Sequence, residues 1–289
     1  MEQTDVRQEA LAAEFEQHRP HLRAVAYRML GSLSEAEDAV QEGWLRLSRS
    51  DTSDVANLAG WLTTVVSRVC LDQLRSRKAR REDSLEERIP DPVVSESEAH
   101  DPEQQALLGD AVGLAMLVVL DQLAPAERLA FVLHDLFAVP YAEIAPVVER
   151  SVDATKMLAS RGRRRIQGAR VVPDVDLARQ RAVVTAFQAA AREGDFDALL
   201  RVLDPDVVLR NSAAEGLQIA RGAETVASGA VMFQRMALAS RPVLVNGVAG
   251  VAVDIDGEPF SLAAFTVVDG RIVQIDIISD RARLRALRA

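Results

Sequence analysis

Cysteine is almost absent from this chain of 289 residues: there is one, Cys70, so no internal disulfide can form. It falls in the apolar run VVSRVCLDQL, where a small buried hydrophobe is expected. Aromatic residues make up only 4%, and no apolar run approaches the ~20 residues of a membrane-spanning helix. The amino-terminal MEQTDVRQEALAAEFEQ is polar and acidic and lacks the basic-then-apolar layout of an export signal; a cytoplasmic location is expected. Scarcity is most informative in residues 173–289, which contain no His, Tyr, Cys, Trp or Lys. Acid–base work there would fall to Asp or Glu with Arg as the only cationic helper, which argues against catalysis. No catalytic residue, metal site or cofactor is expected.

The net charge of −9 is unevenly spread. Residues 91–105, DPVVSESEAHDPEQQ, hold five acids and no base. Elsewhere the balance is nearly even, with basic clusters at 75–81 and 156–170. These patches bear more directly on nucleic acid than the whole-chain pI does.

Residues 11–82 carry a helical pattern. Leu22, Val25, Ala26, Met29 and Leu30 repeat at three and four, as do Leu62, Val65, Val66, Val69 and Cys70. Gly31 breaks the pattern, and Ser34 with Glu37 three residues on predicts a capping box for the next helix. Residues 83–104, with Pro90, Pro92 and Pro102 and no apolar periodicity, read as an acidic linker. Helical spacing returns over 106–170, interrupted at Pro125 and Pro140. After Pro173 come an amphipathic helix through Val184, Phe187 and Ala191, a second helical stretch over 222–238, and strands in RPVLVNGV, GVAVDI, PFSLAAFTVV and RIVQIDII. Asp256-Gly257 and Asp269-Gly270 suit tight hairpins. The expected fold class is multi-domain: two all-α domains, then an α+β domain with helices on one face of a curved antiparallel sheet. The boundaries fall at 1–82, 83–104, 105–172 and 173–289.

Three segments carry candidate binding chemistry. In the first helical half, Ala36, Ala39, Val40 and Trp44 form a buried stripe, and Glu35, Asp38, Gln41 and Glu42 lie away from it, offering acceptors to a basic partner. Trp61, Thr64, Arg68 and Arg75 line one polar edge of the next helix, where a strand's phosphates can be tracked and a base stacked; Trp61 also suits a core. Arg75, Arg77, Lys78, Arg80 and Arg81 add basic charge. Third, PYAEIAPVVERSVDATKMLASRGRRRI has helix-turn-helix layout: Tyr141 to Val148, a turn at Glu149 and Arg150, and Ser151 as N-cap of the second helix with Asp153 in its first turn.

Taken in order, these stretches resemble the extracytoplasmic-function sigma factors of bacterial RNA polymerase. LAPAERLAFVLHDLFAVPYAEIA with RSVDATKMLASRGRRRI resembles the region that reads the −35 promoter element, and the resemblance carries over Arg150, Ser151, Thr155, Lys156, Ser160, Arg163 and Arg164 as DNA contacts. Glu149 stands where that turn usually has glycine, Pro146 falls in the first helix and Gly162 in the second. LRAVAYRMLGSLSEAEDAVQEGWLRL and LAGWLTTVVSRVCLDQLRSRKARRE resemble the domain that binds core polymerase and opens the −10 element. There the resemblance implies Asp38, Gln41 and Glu42 for polymerase, and Trp61, Thr64, Arg68, Arg75, Arg77 and Lys78 for −10 DNA. SRSDTSDVANLAG matches the loop that captures a flipped base. The acidic linker would thread toward the polymerase active-site channel, and RIPDP, residues 88–92, is similar to the WLPEP linker motif of long family members.

Residues 176–289 resemble the SnoaL-like cyclases and nuclear-transport-factor-like cone fold through VVTAFQAAAREGDFDALLRVLDPDVVL, RGAETVA, RPVLVNG and AFTVVDGRIVQIDIISDRARLRAL. NSAAEG stands where that branch often shows DGGG, and Asp276 is expected at the surface. The implied function is an alternative sigma factor with a fused regulatory domain and no enzymatic activity. Its partners would be core RNA polymerase and promoter DNA, with no membrane; whether the cone also takes a small-molecule ligand is left open by the sequence. Arg281, Arg283 and Arg285 form a basic tail suited to the acidic face around Asp38 and Glu42 or to the acidic linker. The other readings left open are a small-molecule isomerase or cyclase, and a ligand sensor, fused to a helical DNA-binding module.

Overall fold

The computed structural model describes residues 2–50, 55, 57–80, 89–95, 113–169, 172–174, 176–232 and 240–287. Contacts divide the chain into two compact units, one of residues 1–83, 101–109 and 120–165, the other of 84–100, 110–119 and 166–289.

The first unit begins with α1 (Glu2–Leu30), α2 (Leu33–Arg49) and α3 (Leu58–Arg80). Leu22, Val25, Met29, Ala36, Val40, Leu62, Val66 and Cys70 fill the space between them, as the apolar spacing requires. Gly43 permits the approach of α2 to α3, since a Cβ there would lie 2.8 Å from Val66 Cγ2. The N-cap of α2 is Ser32, not Ser34, and no side chain closes the cap. Glu37, expected in a capping box, instead pairs with Arg19 at 2.5 Å.

After α4 (Leu114–Asp121), which begins in the second unit, come α5 (Pro125–Phe131) and a π-helical turn (Val132–Leu136). Then follow α6 (Tyr141–Val148) and α7 (Val152–Gly168). Gly162 does not interrupt α7. A Cβ there would sit 3.0 Å from Phe131 Cβ, so the glycine permits a close approach of α7 to α5.

In the second unit, α8 (Leu177–Glu193) and α9 (Phe196–Val202) are N-capped by Asp176 and Asp195, whose carboxylates accept from Arg179 N and Ala198 N. Next come β2 (Leu203–Ala213), β3 (Gly216–Arg221) and α10 (Ala223–Met232). The second helical stretch expected over 222–238 thus ends within the described residues at 232, and 233–239 lie outside them. β4 (Ser240–Val245), β5 (Val248–Ile255), β6 (Glu258–Val268) and β7 (Arg271–Ile278) follow, then α11 (Arg281–Ala286). With β1 (Val94–Ser95) the sheet order is β1-β4-β5-β6-β7-β2-β3.

The sheet is mixed rather than antiparallel throughout, because β2 runs parallel to β7. Hairpin signals fix the direction of successive strands but say nothing about strands far apart in sequence. Three two-residue turns, Asn246-Gly247, Asp256-Gly257 and Asp269-Gly270, have positive φ at both positions, as type I′ turns require. The first splits RPVLVNGV, which reads as one strand, into β4 and the start of β5.

One sheet face packs Val251, Val253, Phe265, Val267 and Ile275 against Val184, Leu199 and Val226 of α8, α9 and α10. By strand alternation, Gln274 and Asp276 lie on the other face. Asp276 is 1% exposed, not at the surface as expected. The Asp276 carboxylate is therefore dry although it lies on the face away from α8, α9 and α10.

Candidate nucleic-acid interface

The helix-turn-helix is built by local chemistry. Pro140 precedes α6, and Glu149 closes it in the left-handed region at φ 58°. This is the conformation that makes glycine usual at such a turn. Ser151 Oγ then accepts from Ala154 N at 3.2 Å, capping α7 as its sequence suggests. Pro146 is exposed and leaves α6 unbroken.

Along α7, Asp153, Lys156, Met157, Ser160, Arg161 and Arg164 follow one another at three- and four-residue spacing, and all but the half-buried Ser160 are exposed. Met157 is 53% exposed. A large apolar side chain so placed on a polar helix is a candidate base contact that the basic pattern does not reveal. Thr155 departs from expectation: it is fully buried, its Oγ1 donating to Ser151 O at 2.9 Å, so it supports the turn and cannot reach a base. Arg163 is drawn toward Asp135, Nε donating at 2.7 Å, and the bonds to Asp135 and Tyr141 raise its pKa further. Arg150 Nη1 donates to Glu149 O and Arg164 Nε to Ser160 O. Lys156 pairs with Asp153 at 3.2 Å. A groove of about 550 Å³ is lined by Glu127, Arg161, Arg164 and Arg165, three guanidinium groups to one carboxylate. An anionic backbone suits it.

In α2, Asp38 and Gln41 are exposed and Glu42, half-buried, bonds Arg46 at 2.9 Å. Leu45, 37% exposed, extends the same stripe by one helical step, an apolar addition hidden by its resemblance to core spacing. Glu35 does not belong to this open face, because it pairs with Arg77 of α3. Arg77 also donates to Leu30 O at 3.4 Å, so it ties α3 to the α1–α2 corner rather than standing free for phosphate. On α3, Asn57 Oδ1 accepts from Gly60 N at 3.0 Å at the helix start. Trp61 and Thr64 are half-buried, Arg75 and Lys78 exposed. Arg68 is exposed and donates to Pro146 O on α6 at 3.3 Å. Residues 51–54 and 56 of the expected base-capturing loop lie outside the described residues, as do Arg81, Arg170 and the side chain of Arg80.

A second tie joins these halves. Arg128 of α5 is buried, bonds Asp121 at 2.9 Å, and points Nε and Nη2 at Arg28 O, both at 3.4 Å. Burial lowers its pKa, against the pull of Asp121. The nearby Cys70 thiol is pushed up to about 12, chiefly by burial; it is unreactive packing, as its apolar context implies.

In the basic tail, Arg283 bonds Asp91 at 3.0 Å, Arg281 lies 5.3 Å over the Phe260 ring and Arg285 pairs with Glu258. Among the described residues no group of three or more His, Cys, Asp or Glu is placed to hold a metal, and no helix is long and apolar enough to cross a membrane.

Two families match the chain: Sigma-70 region 2 over residues 15–80 and Sigma-70, region 4 over residues 114–166. The probable ECF RNA polymerase sigma factor SigI of Mycobacterium tuberculosis is 36% identical over 292 aligned residues, covering 96% of each chain. The ECF RNA polymerase sigma factor SigJ of the same organism is 40% identical over 278 aligned residues, covering 90% of this chain and 88% of SigJ. A crystal structure of M. tuberculosis SigJ has a TM-score of 0.75 to this chain at 34% identity, covering 95% of this chain and 98% of that one.

Proposed function

The chain belongs to the extracytoplasmic-function RNA polymerase sigma factors, and on that premise we propose how its parts share the work. As a sigma factor it directs core RNA polymerase to promoters and initiates transcription, and it is not an enzyme. Residues 1–82 engage core polymerase and the −10 element, 105–172 read the −35 element, and 173–289 regulate. Asp38, Gln41, Glu42 and Leu45 form the polymerase-facing stripe. Trp61, Thr64, Arg68, Arg75 and Lys78 serve the −10 strand. Arg150, Ser151, Lys156, Ser160, Arg163 and Arg164 serve the −35 duplex, and Met157 meets a thymine methyl in the major groove.

The observation that carries this reading is the exposed stripe of α7, polar and basic with one apolar side chain, set behind a capped helix-turn-helix. Elements centred at −35 and −10 lie about 25 base pairs apart, roughly 85 Å on B-DNA. Yet α3 and α6 touch through Arg68 and Pro146, and α5 and α1 through Arg128 and Arg28. The first unit therefore opens when both elements are read. Apolar side chains fill the sheet face under α8, α9 and α10, which favours a regulatory role for the second unit over that of a ligand-metabolising cone.

Binding of −35 duplexes to three variants tests the assignment. Arg164→Ala should weaken all sequences about equally and reduce the salt slope by about one. Met157→Ala should change sequence preference. Thr155→Val should leave preference unchanged; a Thr155→Val variant with altered preference and an indifferent Met157→Ala would overturn the orientation of α7 proposed here.

A further inference from the structure

We propose that residues 89–95 are a removable strand of the second unit, latched by Arg283, and that productive engagement of polymerase requires their release. This rests on the reading above, in which the segment between the two promoter-reading regions serves the polymerase.

The segment reads as linker, yet it is built into the sheet. Val94 and Ser95 pair antiparallel with Val245 and Leu244 of β4. Just before them, Asn246 N donates to Val93 O at 2.8 Å and Val93 N donates to Asn246 Oδ1 at 2.7 Å. The side chain of the type I′ turn residue thus stands in for a ladder partner. Ile89, Pro90, Pro92 and Val93 are buried. Across them lies Arg283, whose Nη2 donates to Ile89 O and to Asp91 Oδ1. Arg283 is aimed by α11: Asp280 caps that short helix through Ala282 N and Arg283 N, while Leu284 is buried. The neighbouring Arg281 and Arg285 are engaged with Phe260 and Glu258, which leaves Arg283 as the latch.

The attachment is suited to release. β4 and β5 pair at six positions, β1 and β4 at two. Pro90 and Pro92 have no N–H to donate, so the ladder cannot extend toward Ile89. Beside that short ladder the segment is held by apolar contacts, by the Val93–Asn246 hydrogen bonds and by Arg283, whose ion pair with Asp91 leaves both side chains about 15% exposed. Asp91 opens the run of five acids without a base, so a basic partner surface can compete with Arg283 for the segment. While the strand is docked, Asp91 and the apolar side chains around it are unavailable to polymerase. The second unit is then an off-switch acting on the segment between the readers.

A reversible crosslink in the full chain tests this. The flanking Val93–Asn246 bond makes Val94 and Val245 a non-hydrogen-bonded pair, whose Cα atoms lie about 4.5 Å apart, within disulfide reach. The one native thiol, Cys70, is buried and does not compete. Val94→Cys with Val245→Cys, oxidised, should still bind core polymerase but lose at least about tenfold in promoter-dependent transcription, recovered on reduction. Equal transcription from oxidised and reduced forms, with the bond verified, overturns the proposal. Independently of polymerase, Asp91→Asn should speed amide exchange across 89–95 by about tenfold and leave β5 to β7 unchanged. Unaltered exchange there overturns the latch, whatever transcription shows. Absence of core binding by the reduced protein, with faster exchange in Asp91→Asn, contradicts the sigma reading and upholds the latch.

Discussion

Replacing Asp276 by Asn isolates the cost of a buried charge. Gln274 Nε2 donates to both carboxylate oxygens, at 2.9 and 2.8 Å. Arg210 is its register partner on β2, and Thr266 pairs with Gln274 from β6. Burial nevertheless outweighs these partners and pushes the carboxyl from its ordinary 3.8 up to about 6. A raised acid holds its proton in the fold at pH values where the unfolded chain has lost it. Stability therefore falls as pH rises from about 4 to about 6, and the deficit, roughly 3 kcal/mol, is complete above that. The Asn variant lacks this cost but also loses an acceptor for Gln274 and the attraction of Arg210. A net gain of about 1–2 kcal/mol at pH 7.5 is expected, falling by about 2–3 kcal/mol and reversing to a small loss by about pH 4. Residues 84–119 and 166–289 contain no Trp or Tyr, so intrinsic fluorescence cannot follow that unit. Hydrogen exchange of β6 and β7 peptides, corrected for intrinsic rates, can. A variant no more protected at pH 7.5, or a difference that does not change with pH, would refute the argument.

Three further substitutions or treatments probe local geometry. Glu149→Gly relieves a left-handed φ and should stabilise the first unit by about 1 kcal/mol in denaturant unfolding followed by its two Trp residues; a loss would show that the Glu149 side chain makes a compensating contact. Gly162→Ala gains about 1 kcal/mol of helix propensity but drives a Cβ to 3.0 Å from Phe131 Cβ, for a net loss of about 1 kcal/mol and weaker −35 binding; a stabilised variant would mean the α5–α7 contact is slack. Cys70, with its thiol pushed up to about 12, should resist a thiol reagent at pH 8.5 until the chain unfolds. Prompt labelling of native protein would contradict its burial.

Much of the helical architecture was legible because periodic apolar residues must be buried together. Leu22, Val25, Met29, Leu62, Val66 and Cys70 all end in the core of the first unit. The helix-turn-helix was legible to the residue, since Ser151 and the break at Glu149 are local signals. What failed depended on partners distant in sequence. Arg77 looks like any exposed arginine until Glu35, 42 residues away, receives it. Thr155 belongs to a basic helix, but only the fold shows that its side faces inward. The parallel β2–β7 pairing and the dry environment of Asp276 follow from how the sheet closes, which no local pattern encodes. Residues 89–95 look like linker because two prolines and the neighbouring acids mask a strand that exists only beside β4.

The most direct test of the central claim is in vitro transcription with purified core RNA polymerase, this full chain and fragmented genomic DNA, with binding to core measured in parallel. Discrete promoter-initiated transcripts that core alone does not make are expected, lost when Asp38 and Glu42 are both replaced by Arg. Failure of the unaltered chain both to bind core polymerase and to yield any such transcript would contradict that claim.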